Sequence, residues 1–326
     1  MNANWKNFLL AEHAIFDNDT DIVFPLPENE GCKRIYPIVH LGVLTVAGSD
    51  AAKFLQGQIT CNINDISDTK SSLGAMCNPK GRAITTFLLV KNADVFLMIL
   101  PKVLLEAVKK KLQMYVLRSK VVLTDSSDEL CLIGLSDGAS QPIDAPESLF
   151  ATSRQENIVV DFQSRRLIIA ELDNAKALWK EQVQLGFQSE GSVQWRYLDI
   201  ISGIPWLTAE TSEEFVPQML NLDKLGGISF NKGCYTGQEV VARTHYLGKA
   251  KREMFLAECD ALTPPEPNSI IIGDDTSTDE SLGKVLYAQN SGGICKMLII
   301  LKVSDTDAYN LKLKDYNQDK ITILTV

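Results

Sequence analysis

The sequence predicts an α+β protein: two related lobes followed by a small all-β region. Three observations carry this. A strand–turn–strand–helix order occurs twice between Thr86 and Leu185. After Arg252 the chain changes to short β-type runs punctuated by Pro, Gly, Asp and Asn. The 326 residues are 45% hydrophobic and 22% charged. That is ordinary for a soluble globular protein and enough for about two domains at roughly 150 residues each.

The elements follow in order. Ile35–Ala47 reads as strand and stops at Gly48. Ser49 suits the N-cap of a helix over Ala51–Gln58. Thr86–Val90 and Val95–Leu100 are β-rich runs, and the intervening Lys91-Asn92-Ala93-Asp94 is a hairpin signal. Pro101 fits a first helical turn, and Val103–Tyr115 has apolar residues at helical spacing with Lys109–Lys111 outward. Val121–Thr124 and Leu130–Leu135 are further strands. The order then returns. Ile158–Asp161, the turn Gln163-Ser164-Arg165 and Leu167–Ala170 form a second hairpin. Asp173 caps a helix to about Leu185, with Gly186 at C′. Trp195–Ser202 is a third helix-like segment, ending at Gly203. Beyond Arg252, Phe255–Glu258, Ser269–Ile272, Gly283–Ala288, Ile294–Val303 and Ile321–Thr325 are short strands. The breaks between them, among them Gly273-Asp274-Asp275 and Asn290-Ser291-Gly292-Gly293, suit a small β-barrel or sandwich. The predicted boundary divides 1–250 from 251–326, and the two lobes separate near 125–150.

Composition narrows the function classes. The N-terminus lacks a basic start followed by an apolar core, so no signal peptide is expected. No apolar run reaches the length of a membrane span. The seven cysteines (32, 61, 77, 131, 234, 259, 295) contain no C-x-x-C pair, and the three histidines are scattered. This argues for reduced thiols in a cytoplasmic protein and against a metal site. A net charge of −9 argues against general nucleic-acid binding, which depends on cations meeting phosphates. One stretch departs from that balance. Val240–Arg252 has no acid but carries Arg243, His245, Lys249, Lys251 and Arg252, an island suited to an anionic ligand or to a solvated strand face.

The most informative run precedes it: Lys232-Gly233-Cys234-Tyr235-Thr236-Gly237-Gln238-Glu239. Glycine adopts positive φ freely, so Gly233 and Gly237 suggest a tight loop displaying Cys234. A thiolate is the reactive form of cysteine, and a cation such as Lys232 favours it. The bland reading is a buried structural cysteine in a turn.

These residues carry a resemblance. W-R-Y-L-D-I-I-S-G-I-P from Trp195 is followed by F-V-P-Q-M-L-N-L-D-K-L-G-G-I-S-F, N-K-G-C-Y-T-G-Q-E-V-V-A-R and Y-L-G-K-A-K-R. This resembles the YgfZ family, folate-binding relatives of the glycine-cleavage T-protein. Phe54-Leu55-Gln56-Gly57-Gln58 and Asn78-Pro79-Lys80-Gly81 agree more weakly upstream. The resemblance implies a T-protein-like architecture, with two α+β lobes and a C-terminal β-barrel around a central tetrahydrofolate site. It also implies support of iron–sulfur enzymes, including those that modify tRNA.

The resemblance assigns roles as well. Cys234 and Lys232 become the candidate reactive thiol and its cation. Gly233, Tyr235, Gly237, Gln238 and Glu239 would position the loop, with Glu239 able to pair with Lys232 or Arg243. Trp195 matches an aromatic folate contact, since an indole can stack on a pterin. Leu41 aligns with a second such tryptophan and offers neither the same stacking nor a donor. Arg243, Lys249, Lys251 and Arg252 would meet the folate glutamate tail. In the aminomethyltransferases an N-x-K-G run is followed within a few residues by a catalytic aspartate. Here Arg82-Ala83-Ile84-Thr85-Thr86 supplies no carboxylate for acid–base work, which argues against glycine-cleavage activity. The expectation is therefore a folate-binding accessory protein with iron–sulfur client enzymes, no resident metal, no stable nucleic-acid complex and no membrane association. The alternative is a folate-dependent one-carbon transferase.

Overall fold

In a computed structural model, the described residues are 1–18, 21–25, 33–137, 149–162, 164–248, 250–273, 281–305, 310–314 and 320–324. Cys32, Gln163, Lys249, Asp274, Asp275 and Thr325, all part of the reading above, lie outside them. The chain divides into two compact units. One holds Met1–Gln56, Asn62–Leu73 and Phe87–Trp195; the other holds Gly57–Cys61, Gly74–Thr86 and Arg196–Val326.

The first unit holds one sheet whole and the greater part of another, whose residues Gly74–Cys77 and Ala83–Thr86 are counted with the second unit. The latter has the strand order Ser72–Cys77, Ala83–Asn92, Val95–Pro101, Leu41–Ala47, Val122–Asp125. Its hairpin turns at Ala93, which adopts φ 54°, and closes with Asn92 opposite Val95. Pro101 then becomes the N-cap of the helix Lys102–Val116. Leu104, Leu105, Val108, Leu112 and Val116 recur at helical spacing and are buried.

The other sheet has the order Thr152–Arg154, Ile158–Asp161, Arg165–Glu171, Leu130–Ser136, Arg34–Pro37, Gln188–Ser189. Its hairpin again runs directly into a helix, Leu172–Gln184, which stops before Gly186 at φ 90°. The hairpin–helix unit therefore recurs as the sequence predicts. Beneath it Trp179 is fully buried, with Trp5 and Phe24 each 5.9 Å away by ring centroid.

Three readings need correction here. Ile35–Ala47 is not one strand. Arg34–Pro37 pairs with Leu130–Ser136, whereas Leu41–Ala47 pairs with Val95–Pro101. Both pieces are buried, so an unbroken apolar run hides the crossover at 38–40. The Leu172–Gln184 helix is entered at Glu171 without a side-chain cap; Asp173 lies in the first turn, where a carboxylate meets the positive end of the helix dipole. The helix Ala3–Ala11, with Asn2 accepting from the Asn4 amide at 2.8 Å, was not predicted.

In the second unit the C-terminal strands form a closed six-stranded barrel, which decides between barrel and sandwich. The order is Arg252–Cys259, Ile294–Lys302, Gly283–Ser291, Ile270–Gly273, Leu311–Leu313, Lys320–Ile323. Closure leaves no unpaired sheet edge. Leu311–Leu313 is too short to be signalled by its sequence. Gly283 is required by close packing: a Cβ there would lie 2.3 Å from the Ile300 carbonyl oxygen. The fold is α+β as predicted. Among the described residues, no helix is long and apolar enough to cross a membrane.

Candidate functional site

The cysteine loop lies in the second unit and is fixed from both ends. Its distal end is a two-glycine junction. Gly237 adopts φ 83° and is the left-handed N-cap of the helix Gln238–Tyr246. A Cβ on Gly237 would lie 2.5 Å from the Asn78 carbonyl oxygen and 2.9 Å from the Gly81 Cα. Gly81, at φ 71°, faces back: its Cβ would lie 2.7 Å from that of Val240. No side chain other than hydrogen fits either position without movement.

The Asn78-Pro79-Lys80-Gly81 turn that receives this junction is itself tied. The Asn78 side-chain oxygen accepts from the amides of Lys80 at 2.9 Å and Arg82 at 3.1 Å. This is the local capping that favours Asn in turns. Its side-chain nitrogen donates to Glu213 Oε2 at 2.8 Å. The strand that follows holds no carboxylate. Thr85 and Thr86 are fully buried, and their hydroxyls donate to the carbonyls of Thr86 and Pro205.

The proximal end is held by Lys232. Its Nζ donates to the carbonyl oxygens of Ile59 at 2.7 Å and Cys61 at 2.8 Å, and it stands 5.0 Å from the Tyr235 ring centroid. Burial disfavours the charged form and lowers the Lys232 pKa to about 8. Tyr235 is buried, and burial raises its hydroxyl pKa, with Cys77 and Cys61 adding to the shift. Burial alone pushes the Cys77 thiol up to about 12. The Thr236 amide donates to the Gly57 carbonyl at 3.3 Å.

Between these anchors Cys234 is exposed, and among the described cysteines it alone is so. The sequence reading pairs Lys232 with that thiol or with Glu239. The structure instead turns the ammonium onto two backbone carbonyls, which satisfy a half-buried cation better than a solvated partner would. Gly233 also differs from its expected role. Its φ is not left-handed and its Cβ direction is open, so only Gly237 is sterically demanded. Gln238 donates its amide to the Tyr235 carbonyl at 3.1 Å. Glu239 is exposed in the first helical turn, where its charge suits the helix dipole.

The basic island is helix followed by strand. Arg243 and His245 fall in the last turn of the Gln238–Tyr246 helix, and Arg252 opens the barrel. Arg243 and Lys251 are exposed, and Arg252 is half-buried. The sequence reading missed an aromatic cluster beside them. Phe230 stacks on His245 at 3.7 Å and 13°, and Tyr246 packs edge-on to both. Phe230 lies fifteen positions before His245, so helical spacing could not link them.

The predicted ring contacts lie in the first unit and are internal. Trp195 is 1% exposed. One face meets the Arg165 guanidinium at 4.4 Å, and Tyr36 and Phe162 pack edge-on at 5.4 and 6.4 Å. Gly134 makes room for it: a Cβ there would lie 2.3 Å from the indole. Stacking an added ring on Trp195 requires Arg165 or Phe162 to move. Leu41 is buried at the start of its strand, opposite Pro101. The cavity beside it is about 20 Å³, room for a single water and not for a pteridine.

Comparison with known proteins places this arrangement. No protein-family model matches the chain. Over its whole length it resembles the glycine cleavage system aminomethyltransferase T of Bartonella henselae, with a TM-score of 0.74, 12% identity and 97% of that chain covered. That likeness shows the fold. The tRNA-modifying protein YgfZ of Colwellia psychrerythraea is 30% identical over 295 residues, covering 87% of this chain and 90% of the relative. The chain belongs to the YgfZ family.

Proposed function

We propose that this protein binds tetrahydrofolate or a one-carbon derivative without transferring the carbon, and supports the assembly or repair of iron–sulfur enzymes in the cytoplasm. Its effect on tRNA modification then runs through those clients. One observation carries the reading. The aminomethyltransferase fold extends over the whole chain, yet the strand after Asn78-Pro79-Lys80-Gly81 has no carboxylate and holds buried, hydrogen-bonded threonines near its start. A hydroxyl cannot act as the base near neutral pH that acid–base work on a folate amine needs.

The residues divide by what they can hold. Arg243, Lys251 and Arg252 suit the carboxylates of a folate glutamate tail, since each is a cation with solvent access. Trp195 can contact a pterin once Arg165 is displaced. Cys234 is the group that meets a client. The clamp at Lys232, the buried Tyr235 and the Gly237–Gly81 junction fix its backbone while leaving the thiol in solvent. That is preorganisation of a reactive group on a rigid support.

The test is calorimetric titration of tetrahydrofolate and its one-carbon forms, with product analysis on the same samples. The expected result is saturable binding with no folate converted in the presence of a methyl or aminomethyl donor. Turnover would establish the one-carbon transferase instead. Absence of binding to every form would remove the folate reading. Complementation separates the thiol from the cofactor: Cys234→Ser is expected to bind folate normally yet fail to restore iron–sulfur enzyme activity in cells lacking the native protein.

A further inference from the structure

The barrel holds two thiols that this reading does not use. Cys259 ends the strand Arg252–Cys259, and Cys295 is the second residue of Ile294–Lys302. The two strands are antiparallel neighbours, and the register sets Cys259 directly opposite Cys295. Residues directly opposite in an antiparallel pair project from the same face. Both side chains point into the barrel, 3% and 0% exposed, among Ala257, Met297 and Ile321. The two thiols are in hydrogen-bond contact.

This placement meets the geometric requirement of a disulfide. Opposed antiparallel residues have Cα atoms about 4.5–5.5 Å apart whichever class of pair they form. That lies inside the roughly 4.4–6.8 Å span a disulfide bridges. The pair also sits at the barrel rim and not at mid-strand. Cys295 follows a turn in which Gly292 and Gly293 both have positive φ. Asn290 ties this turn to the segment after Cys259, donating to the Leu262 carbonyl at 2.6 Å. Nearby, Leu262 is 95% exposed and Ile294 49%. Strand ends of this kind open locally at low cost, which gives a small oxidant a route to the sulfurs.

We propose that Cys259 and Cys295 form a reversible intramolecular disulfide on exposure to hydrogen peroxide, locking the first barrel strand to its neighbour. One thiol gives up its proton, and the thiolate attacks a peroxide oxygen; the O–O bond breaks, hydroxide leaves and takes up that proton as water, and a sulfenic acid remains. The second sulfur attacks the first and displaces hydroxide, which departs as water with the second thiol's proton. Two thiols and one peroxide give one disulfide and two waters, and two electrons pass from sulfur to oxygen. The hydrogen bond that the Cys295 thiol makes to Cys259, then burial, holds the Cys295 pKa above that of an ordinary thiol. The reaction is therefore slower than oxidation of an exposed cysteine and is gated by rim opening.

The experiment uses the full-length chain carrying Cys234→Ser, so that the exposed thiol neither reports nor exchanges. The reduced protein is treated with hydrogen peroxide, alkylated under denaturing conditions, digested without reductant and examined by mass spectrometry. The expected result is a peptide pair linked through Cys259 and Cys295, lighter by two hydrogens and reversed by dithiothreitol. Titratable thiols fall from six to four, counting the chain's seven cysteines less Cys234 and then less the pair. Adding Cys295→Ala abolishes the link. If that variant fails to fold, Cys259→Ala makes the same prediction. Full alkylation of both cysteines after peroxide exposure prolonged well beyond complete oxidation of Cys234 in the wild-type chain would overturn the proposal. So would a link from either cysteine to any other partner.

Discussion

Trp195 and Cys234 are the two side chains on which the sequence places most functional weight, and the structure treats them oppositely. Trp195 is enclosed on all sides, with a guanidinium over one face and two aromatic edges against it. Cys234 is left in solvent while Lys232 before it and Gly237 after it are tied down. In the first region the interactions end on the residue itself. In the second they end on the backbone beside it, so the side chain is free to meet something else. A residue's reactivity follows from where the constraints terminate, not from how many there are.

Four experiments bear on this contrast, and the largest effect is expected at the enclosed side. Trp195→Ala should cost about 3–5 kcal/mol, the usual penalty for emptying a fully packed aromatic site. Denaturant midpoints measure it, and a loss under about 1 kcal/mol would mean that Trp195 is not the filled interior position described. Next comes Gly237→Ala, where a left-handed backbone and a 2.5 Å approach to the Asn78 carbonyl combine. Strain of this kind costs about 1–3 kcal/mol. The alkylation rate of Cys234 should change with it, because the loop must shift; an unchanged rate and midpoint would show the junction to be slack.

The third effect is a pH dependence. The folded Lys232 pKa of about 8 lies below its ordinary value of 10.5. Between those values the unfolded chain binds more protons, so this residue's contribution raises stability as pH rises through the window. Below pH 8 its penalty is constant. Cys77 and Tyr235, whose pKa values are raised, act in the opposite direction. The clean measurement is thus the difference between wild type and Lys232→Met from pH 7.5 to 10.5, expected to change across the window and to be flat if the ammonium is solvated. The smallest effect is Cys234→Ser, expected within about 0.5 kcal/mol of wild type as for an exposed side chain free of structural duties. A larger loss would identify Cys234 as structural and remove the contrast.

Much of the fold could be read from the sequence because its signals are local. Pro101 and Gly186 mark where a helix begins and ends, and β-rich runs on either side of Lys91–Asp94 mark a hairpin. The repeated hairpin–helix follows from those alone. What could not be read is long-range or directional. Nothing in Ile35–Ala47 says that its two halves belong to different sheets, because each is buried and apolarity is all the pattern reports. The run around Cys234 was legible as a loop at Gly237, but the helix from Gln238 depends on that glycine docking against Gly81, about 150 residues upstream. The aim of Lys232 was illegible too. A lysine two residues from a cysteine can reach it, and only the carbonyls of Ile59 and Cys61 decide that it does not. The resemblance recovered the fold and the family; it did not reveal that Trp195 is sealed.

The crossover at 38–40 has a consequence in time. Arg34–Pro37 is made well before its partner strand Leu130–Ser136, and the Tyr36–Ser136 hydroxyl contact spans 100 positions. At the roughly 5–20 residues per second of translation, this strand waits about 5–20 s for the surface it completes. During that interval a short, apolar, unpaired segment is tethered just ahead of Leu41–Ala47, which has its own partner sooner. The second sheet therefore cannot close until the first is largely built, and a stretch left unpaired in the nascent chain ends up paired and largely buried.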